Sequence, residues 1–274
     1  MQQLRARVAE RGYVLNGYCQ MPSPAAAEIY CRQGWDVVTL DLEHGSMGLD
    51  GAIRMLEVMA AAPVLPFVRI PKLDPGLIGP LLDAGVLGVT CAMIESADEA
   101  KALVSACRYP PAGRRSMSRL ARAGLIYGPE YARHADEWVS VFAMVESDQG
   151  LRQVEAIASV PGLTGIYMGP VDLAMSLLGR VPALGARDPD VDRVIDGAMT
   201  QVVDACRNAG VIAGINAPNS EQGVQMLARG FQFLTLSSDT RALALQSKAW
   251  VDGVRKAVPS LPGHGAGTGR GTPS

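Results

Sequence analysis

Aromatic residues are scarce in this chain, 5% of it, too few for the stacked platforms on which proteins hold nucleic acid bases. Charge of one sign is missing as well, since 25 lysines and arginines stand against 27 acidic residues. Without a net field to attract a polyanion or an anionic membrane, neither nucleic acid nor a lipid surface is expected as a partner. No long hydrophobic run exists: the longest, Val58 to Val68, is about half a membrane span and holds Pro63 and Pro66. The first residues, MQQLRARVAERG, are charged and hold no apolar core for a signal peptide. The five cysteines (Cys19, Cys31, Cys91, Cys107 and Cys206) form no CxxC pair and have no zinc-like spacing. Their odd number in a chain of this size reads as reduced thiols in a cytoplasmic protein. Histidine is rarer still: His44, His134 and His264 are the three.

What is present is a rhythm. Short apolar runs (14–19, 36–42, 66–70, 88–91, 139–145, 165–168, 211–215 and 233–237) alternate with amphipathic segments near 24–33, 50–61, 76–84, 97–109, 149–158, 190–209, 221–229 and 240–257. Asp50 and Ser220 suit helix N-caps, and Gly34, Gly85, Gly210 and Gly230 follow last helical turns. Eight strands, each followed by a helix, is the count of a single (β/α)8 TIM barrel over residues 1–257. A doubly wound open sheet is the rival architecture, but the Gly-rich phosphate loop expected after its first strand is missing. Residues 110–138 break the rhythm as a polar insert carrying Arg114, Arg115, Arg119, Arg122 and Arg133, too basic to be core. Residues 258–274, rich in Gly, Pro, Ser and Thr, are expected to be a disordered tail.

Barrel active sites lie at the C-terminal ends of the strands. Strand two ends there in Asp41-Leu42-Glu43-His44-Gly45, two carboxylates and an imidazole. Strand three ends in Val68-Arg69-Ile70-Pro71, strand five in Met144-Val145-Glu146-Ser147, and strand six in Gly169-Pro170-Val171-Asp172. Glu146 and Asp172 form an all-oxygen pair suited to a hard divalent cation such as Mg2+ or Mn2+. The plainer alternative pairs Glu146 with an arginine and makes Asp172 a helix cap. The free N–H groups of the turn after Gly169-Pro170 are a ready anion site, so a 2-keto acid fits there with its keto oxygen beside the cation. Arg69 is then placed to stabilise an enolate oxygen, unless it serves only as a salt bridge to Asp41 or Glu43. His44 suits a proton shuttle, with Asp83 as its orienting partner or as no more than a last-turn surface residue.

These pieces together resemble the HpcH/HpaI family of metal-dependent class II pyruvate aldolases. The likeness runs over roughly residues 14–245 and rests on DLEHG (41–45), VRIP (68–71), LDAG (82–85), SADEA (96–100), YPPAGRRS (109–116), ARA (121–123), VES (145–147), VPGLTGIYMGPVDLA (160–174) and APNSEQ (217–222). The resemblance implies a barrel whose last helix is exchanged between protomers, in a homohexamer. It also implies Glu146 and Asp172 as ligands of a divalent metal (Mg2+, Mn2+ or Co2+), Arg69 as enolate stabiliser, and His44 with Asp83 as the acid–base dyad. The activity it implies is cleavage or formation of 4-hydroxy-2-keto acids from pyruvate and an aldehyde. Gly169, Pro170, Val171, Asp172 and Met144 would then contact substrate, with Asp41, Glu43, Arg115 and Arg122 in support around them. The chain departs from the family pattern at Met144, where many relatives have glutamine, at Val171, where a small residue is common, and at Ala92, where a proline usually ends the strand. Two other readings stand beside this one: a keto acid or acyl-CoA lyase of the phosphoenolpyruvate-mutase or citrate-lyase type, and a barrel that binds metal and keto acid as a sensor.

Overall fold

A computed structural model describes residues 4–182 and 188–258. Its eight strands are β1 (Val14–Cys19), β2 (Val37–Asp41), β3 (Leu65–Ile70), β4 (Gly88–Cys91), β5 (Ser140–Val145), β6 (Gly165–Met168), β7 (Ile212–Asn216) and β8 (Phe233–Ser238). All pair in parallel and in chain order, and β8 returns to β1, so the sheet closes into a barrel with no free edge. That closure decides between the barrel and the open sheet.

The scarce aromatics are concentrated at the barrel axis. Phe67, Phe142 and Phe233, three of the four phenylalanines, meet there with ring centroids 5.0–6.2 Å apart, and Tyr167 packs edge-on to Phe233. Glycines in facing strands make the room: a Cβ on Gly88 would come within 2.2 Å of the Phe67 ring, and one on Gly165 within 2.4 Å of the Phe142 ring. A larger core fills the space between the barrel and its helices, where all five cysteines are buried as free thiols.

Helices α2 (Pro24–Cys31), α3 (Leu49–Met59), α4 (Pro75–Asp83) and α5 (Ala97–Cys107) lead back from the strand ends toward the next strand. Beyond the insert, α8 (Asp148–Arg152), α9 (Val154–Ala158), α10 (Pro170–Leu178), α11 (Pro189–Ala209), α12 (Ser220–Arg229) and α13 (Asp239–Ala257) complete the ring. Two caps differ from expectation by one or two residues. Asp50 lies inside the first turn behind Gly48, and Asn219, not Ser220, caps α12 by accepting from the Gln222 N–H. The four expected terminal glycines all have positive φ (67–113°), as a left-handed helix end requires.

The polar insert is not merely surface. It forms α6 (Arg122–Tyr127) and α7 (Tyr131–Trp138), which with α1 (Leu4–Arg11) close the N-terminal end of the barrel. Tyr131, Ala123 and Ala135 are buried there, and so is Arg115, whose charge is matched by Asp83 at 2.9 Å and whose guanidinium lies over the Tyr109 ring. Basic residues enter this core because each guanidinium finds a carboxylate, a ring or a carbonyl. Helix α13 does the opposite. Among its side chains only Asp239 is buried, and Leu243, Leu245, Trp250 and Val254 stand exposed. The expected tail, apart from Val258, lies outside the described residues, as does His264.

Candidate active site

The C-terminal mouth of the barrel holds a cavity of about 390 Å³. Its walls come from β1 to β3 (Tyr18, Gln20, His44, Arg69), from β5 and β6 (Met144, Tyr167, Gly169, Pro170, Val171, Asp172) and from β7 and β8 (Asn216, Pro218, Leu236, Ser237, Ser238, Arg241).

Asp41 organises the first wall. It is wholly buried, and its carboxylate accepts five hydrogen bonds: from Arg69 Nε and Nη2 at 2.9 and 2.7 Å, from Gln20 Nε2 at 2.9 Å, and from the Glu43 and His44 N–H groups at 3.2 and 3.1 Å. Burial opposes its charge, but the bonds from Arg69 outweigh that and hold its pKa below the usual carboxylate range. Asp41 has no capacity left for solvent or a ligand, so its role is to fix Arg69 and fold the DLEHG loop. Gly45 is required in that turn, because a Cβ there would lie 2.1 Å from the Asp41 carbonyl oxygen.

Arg69 is thus locked from both sides. Glu43 Oε2 lies 3.1 Å from Nη1, and the Tyr18 ring packs 4.6 Å from the guanidinium carbon. The salt bridges to Asp41 and Glu43 do not compete with a role in the cavity, since they aim the guanidinium while one face still borders it. The Glu43–Arg69 contact lacks hydrogen-bond geometry, leaving Glu43 Oε2 buried without a hydrogen-bond partner. Burial accordingly raises the Glu43 pKa. His44 is exposed on the rim, with Nε2 3.9 Å from Glu43 Oε2.

Glu146 lies just behind the cavity wall and is 3% exposed. Its Oε1 accepts from the Met93 N–H at 2.9 Å, a direction made possible by the positive φ of Met93, 55°. Its Oε2 faces Gly169, where a Cβ would come within 2.5 Å of that oxygen. Burial, opposed only by the Met93 bond and Arg69, and reinforced by Glu43 and Asp172, pushes Glu146 up to about 7. Asp172 sits in the first turn of α10, where the N–H groups of Val171 and Asp172 precede the first intrahelical bond, Leu173 N to Gly169 O.

These observations fit a divalent cation. Three carboxylates crowd one side of the cavity, a buried oxygen of Glu43 lacks a hydrogen-bond partner, and the glycine at 169 lets the Glu146 carboxylate pack directly against it. No group of three acidic, histidine or cysteine side chains is gathered as a closed cage among the described residues. Glu146 and Asp172 would therefore be the chain's own ligands, with the remaining positions left to water and substrate.

Three expected residues are not brought to this site. Asp83 ends α4, which runs back from the strand mouth, so it lies at the opposite end of the barrel, paired with Arg115. Arg122 donates to the Ala84 carbonyl beside it. All three anchor the insert to α4, and within one chain none borders the cavity or supports His44. The wall from β7 and β8 was not anticipated, although the strand-end rule applied to Leu236-Ser237-Ser238-Asp239-Thr240-Arg241 points to it.

The family and relatives that this barrel matches make it a carbon–carbon lyase. The chain belongs to the HpcH/HpaI aldolase/citrate lyase family, whose profile matches residues 17–245. It is similar to the hydroxypyruvate/pyruvate aldolase of Rhizorhabdus wittichii, 33% identical over 85% of this chain and 91% of that protein. It is 36% identical to the 4-hydroxy-2-oxovalerate aldolase of Rhodococcus jostii over 82% of this chain and 84% of the other. The crystal structure of a HpcH/HpaI aldolase/citrate lyase family protein from Burkholderia cenocepacia superposes with a TM-score of 0.84 at 31% identity, covering 93% of this chain and 100% of that one.

Proposed function

We propose that this protein is a divalent-metal-dependent class II aldolase that cleaves or forms 4-hydroxy-2-keto acids through the enolate of pyruvate. The observation that carries this reading is Arg69, fixed by Asp41 and Glu43 and bordering a cavity opposite the first turn of α10. The names of the relatives, pyruvate aldolases and a 4-hydroxy-2-oxovalerate aldolase, support the same substrate class.

In the cleavage direction the carboxylate of the keto acid rests on the N–H groups of Val171 and Asp172. The 4-hydroxyl gives up its proton, the bond between carbons 3 and 4 breaks, and its electron pair passes into the enolate. Carbon 4 leaves as an aldehyde. Arg69 stabilises the negative charge that gathers on the keto oxygen. Glu146 and Asp172 would hold a divalent ion (Mg2+, Mn2+ or Co2+), which would supply Lewis-acid stabilisation of the enolate. His44, exposed at the rim, takes and returns protons through water, and carbon 3 is finally protonated to give pyruvate. A dyad of His44 with Asp83 requires a second copy of the chain, because one chain keeps them at opposite ends of the barrel. We accordingly favour a homo-oligomer, a hexamer by resemblance, assembled through the exposed face of α13. The five reduced, buried thiols support a cytoplasmic location, and no described helix is long and apolar enough to cross a membrane.

The test is pyruvate release from a 4-hydroxy-2-keto acid. Dialysis against EDTA should abolish it, and Mg2+, Mn2+ or Co2+ should restore it. Arg69→Ala should lower turnover by about 10²–10³-fold and slow exchange of pyruvate's methyl protons with solvent. Full activity after chelation, or a lysine trapped by borohydride, would overturn the metal mechanism.

A further inference from the structure

Asp41 aims Arg69, but Asp41 must itself be held. Its Oδ1 takes Arg69 Nε and the Glu43 and His44 N–H groups, whereas its Oδ2 takes Arg69 Nη2 and one further donor, the side-chain amide of Gln20 at 2.9 Å. Gln20 directly follows β1 and is half-buried in the cavity wall. Its backbone N–H donates to Asp239 at 2.9 Å, beside that of Met21 at 3.2 Å, and its carbonyl accepts from the Ser46 N–H at 2.9 Å. Its Cα lies where a Cβ on Gly45 would come within 3.2 Å. Gln20 is thus the point at which β1, the first turn of α13 and the DLEHG loop meet.

The far end of the amide fixes its orientation. Gln20 Oε1 accepts from the Thr240 hydroxyl at 2.6 Å, and that hydroxyl lies 2.8 Å from the Ser238 hydroxyl. Each hydroxyl has one proton to give. Thr240 gives its own to Gln20, so Ser238 must donate to Thr240, and Ser238 in turn accepts from the Arg241 N–H at 3.2 Å. The chain of donors therefore has one direction, from Ser238 through Thr240 and Gln20 to Asp41 Oδ2, where it meets Arg69. A flipped amide would set its oxygen against a carboxylate. The position also calls for a neutral donor: a second cation would compete with Arg69 for Asp41, and a carboxylate would repel it. A guanidinium displaced by about 1 Å from the charge that develops on the keto oxygen loses much of its effect.

Resting on the aldolase reading, we propose that Gln20 is a positioning residue for enolate formation: its amide, oriented by Thr240, holds the Asp41 carboxylate that directs Arg69 at the keto oxygen. Gln20 acts through Asp41 and makes no contact of its own with the substrate.

The experiment measures pyruvate release from a 4-hydroxy-2-keto acid and exchange of pyruvate's methyl protons by the metal-loaded protein, both per mole of folded chain. Gln20→Met keeps the side chain's volume and removes both of its hydrogen bonds. It should lower kcat and the exchange rate together by about 10-fold, the worth of a hydrogen bond to a charged group, and leave KM unchanged. Thr240→Val should lower both by less, and should add nothing to Gln20→Met, because it acts only through the amide. Gln20→Glu should be slower still at pH 8.5, where a second carboxylate faces Asp41. It should recover toward the unaltered protein's rate at pH 6, where the introduced carboxyl regains a proton to donate. The other titratable and charged groups on the elements around that side chain are Glu43, His44, Arg69, Asp239 and Arg241, and comparison with the unaltered protein at each pH cancels their titration. Unchanged kcat and exchange in Gln20→Met would overturn the proposal, and so would a rise in KM alone, which would make Gln20 a substrate contact. If Gln20→Met does not fold, Thr240→Val decides, since it leaves every backbone bond of the junction in place, and rates equal to those of the unaltered protein would again overturn it. Activity in the unaltered protein that survives both changes sinks the role of Gln20 alone. Neither exchange nor cleavage by the unaltered protein sinks the aldolase reading and this role with it.

Discussion

A single buried carboxylate can carry two opposite duties, and Asp41 and Glu146 divide them. Asp41 is held ionised by Arg69 and is spent on holding that arginine. Glu146 is driven toward its protonated form by burial beside two other acids. The linkage has a definite sign. Below its ordinary pKa of 4.5 the folded and unfolded chains both hold the proton, so that contribution to stability is fully present. It is lost as pH rises through about 7, where the folded chain must ionise a buried group. The gap corresponds to about 3 kcal/mol at most. In metal-free protein, Glu146→Gln should therefore be more stable than the unaltered chain at pH 8, and thermal melts should show the advantage shrinking toward pH 5. A pH-independent difference would mean that Glu146 ionises freely. Much of this site was legible in sequence, because Arg69, Glu146, Asp172 and the 169–171 turn all sit at strand ends. The role of Asp41 was not, since five convergent donors come from four separate positions along the chain.

At the scale of elements, the junctions matter more than the strands. Strand positions could be read from β-branched runs to within a residue or so, yet the work of the site is done by the short turns after them. Gly45 closes the DLEHG loop, Gly169 admits the Glu146 carboxylate, and Asp239 ties the start of α13 to β1. Asp239→Ala would leave the Gln20 and Met21 N–H groups of that junction unsatisfied. It should destabilise the protein by about 1–3 kcal/mol, a loss of about 2–4 °C in Tm for each kcal/mol at this chain length. Five arginines in a Gly- and Pro-punctuated segment give the insert the composition of a solvated surface. Its two helices lie in the barrel's closed end instead, since Arg115 and Arg122 each reach a partner on or just past α4.

At the scale of the molecule, the barrel is complete but α13 is not. Leu243, Trp250 and Val254 recur along one helix and stand 59%, 68% and 65% exposed, more apolar surface than an isolated helix leaves in water without reason. Replacing Leu243 and Trp250 together by glutamate should shift the protein to a smaller species in sedimentation velocity, while circular dichroism keeps the barrel's signal. If the unaltered chain already sediments as a monomer, the oligomer proposal fails.

The sequence by itself determined the barrel and many of the residues that stand at its mouth. Strand periodicity is local, and in a parallel barrel every strand end faces the same way, so the residues there are gathered wherever they lie in the chain. Tertiary structure alone decided which of the remaining charged residues share that mouth. Asp83 and Arg69 flank the same helix, yet α4 reverses direction and carries Asp83 to the far end. Arg241 is separated from Arg69 by most of the chain, yet closure of β8 on β1 brings it to the same cavity. The spacing of residues along a chain records direction only within an element, and the distances that decide partnership are set between elements.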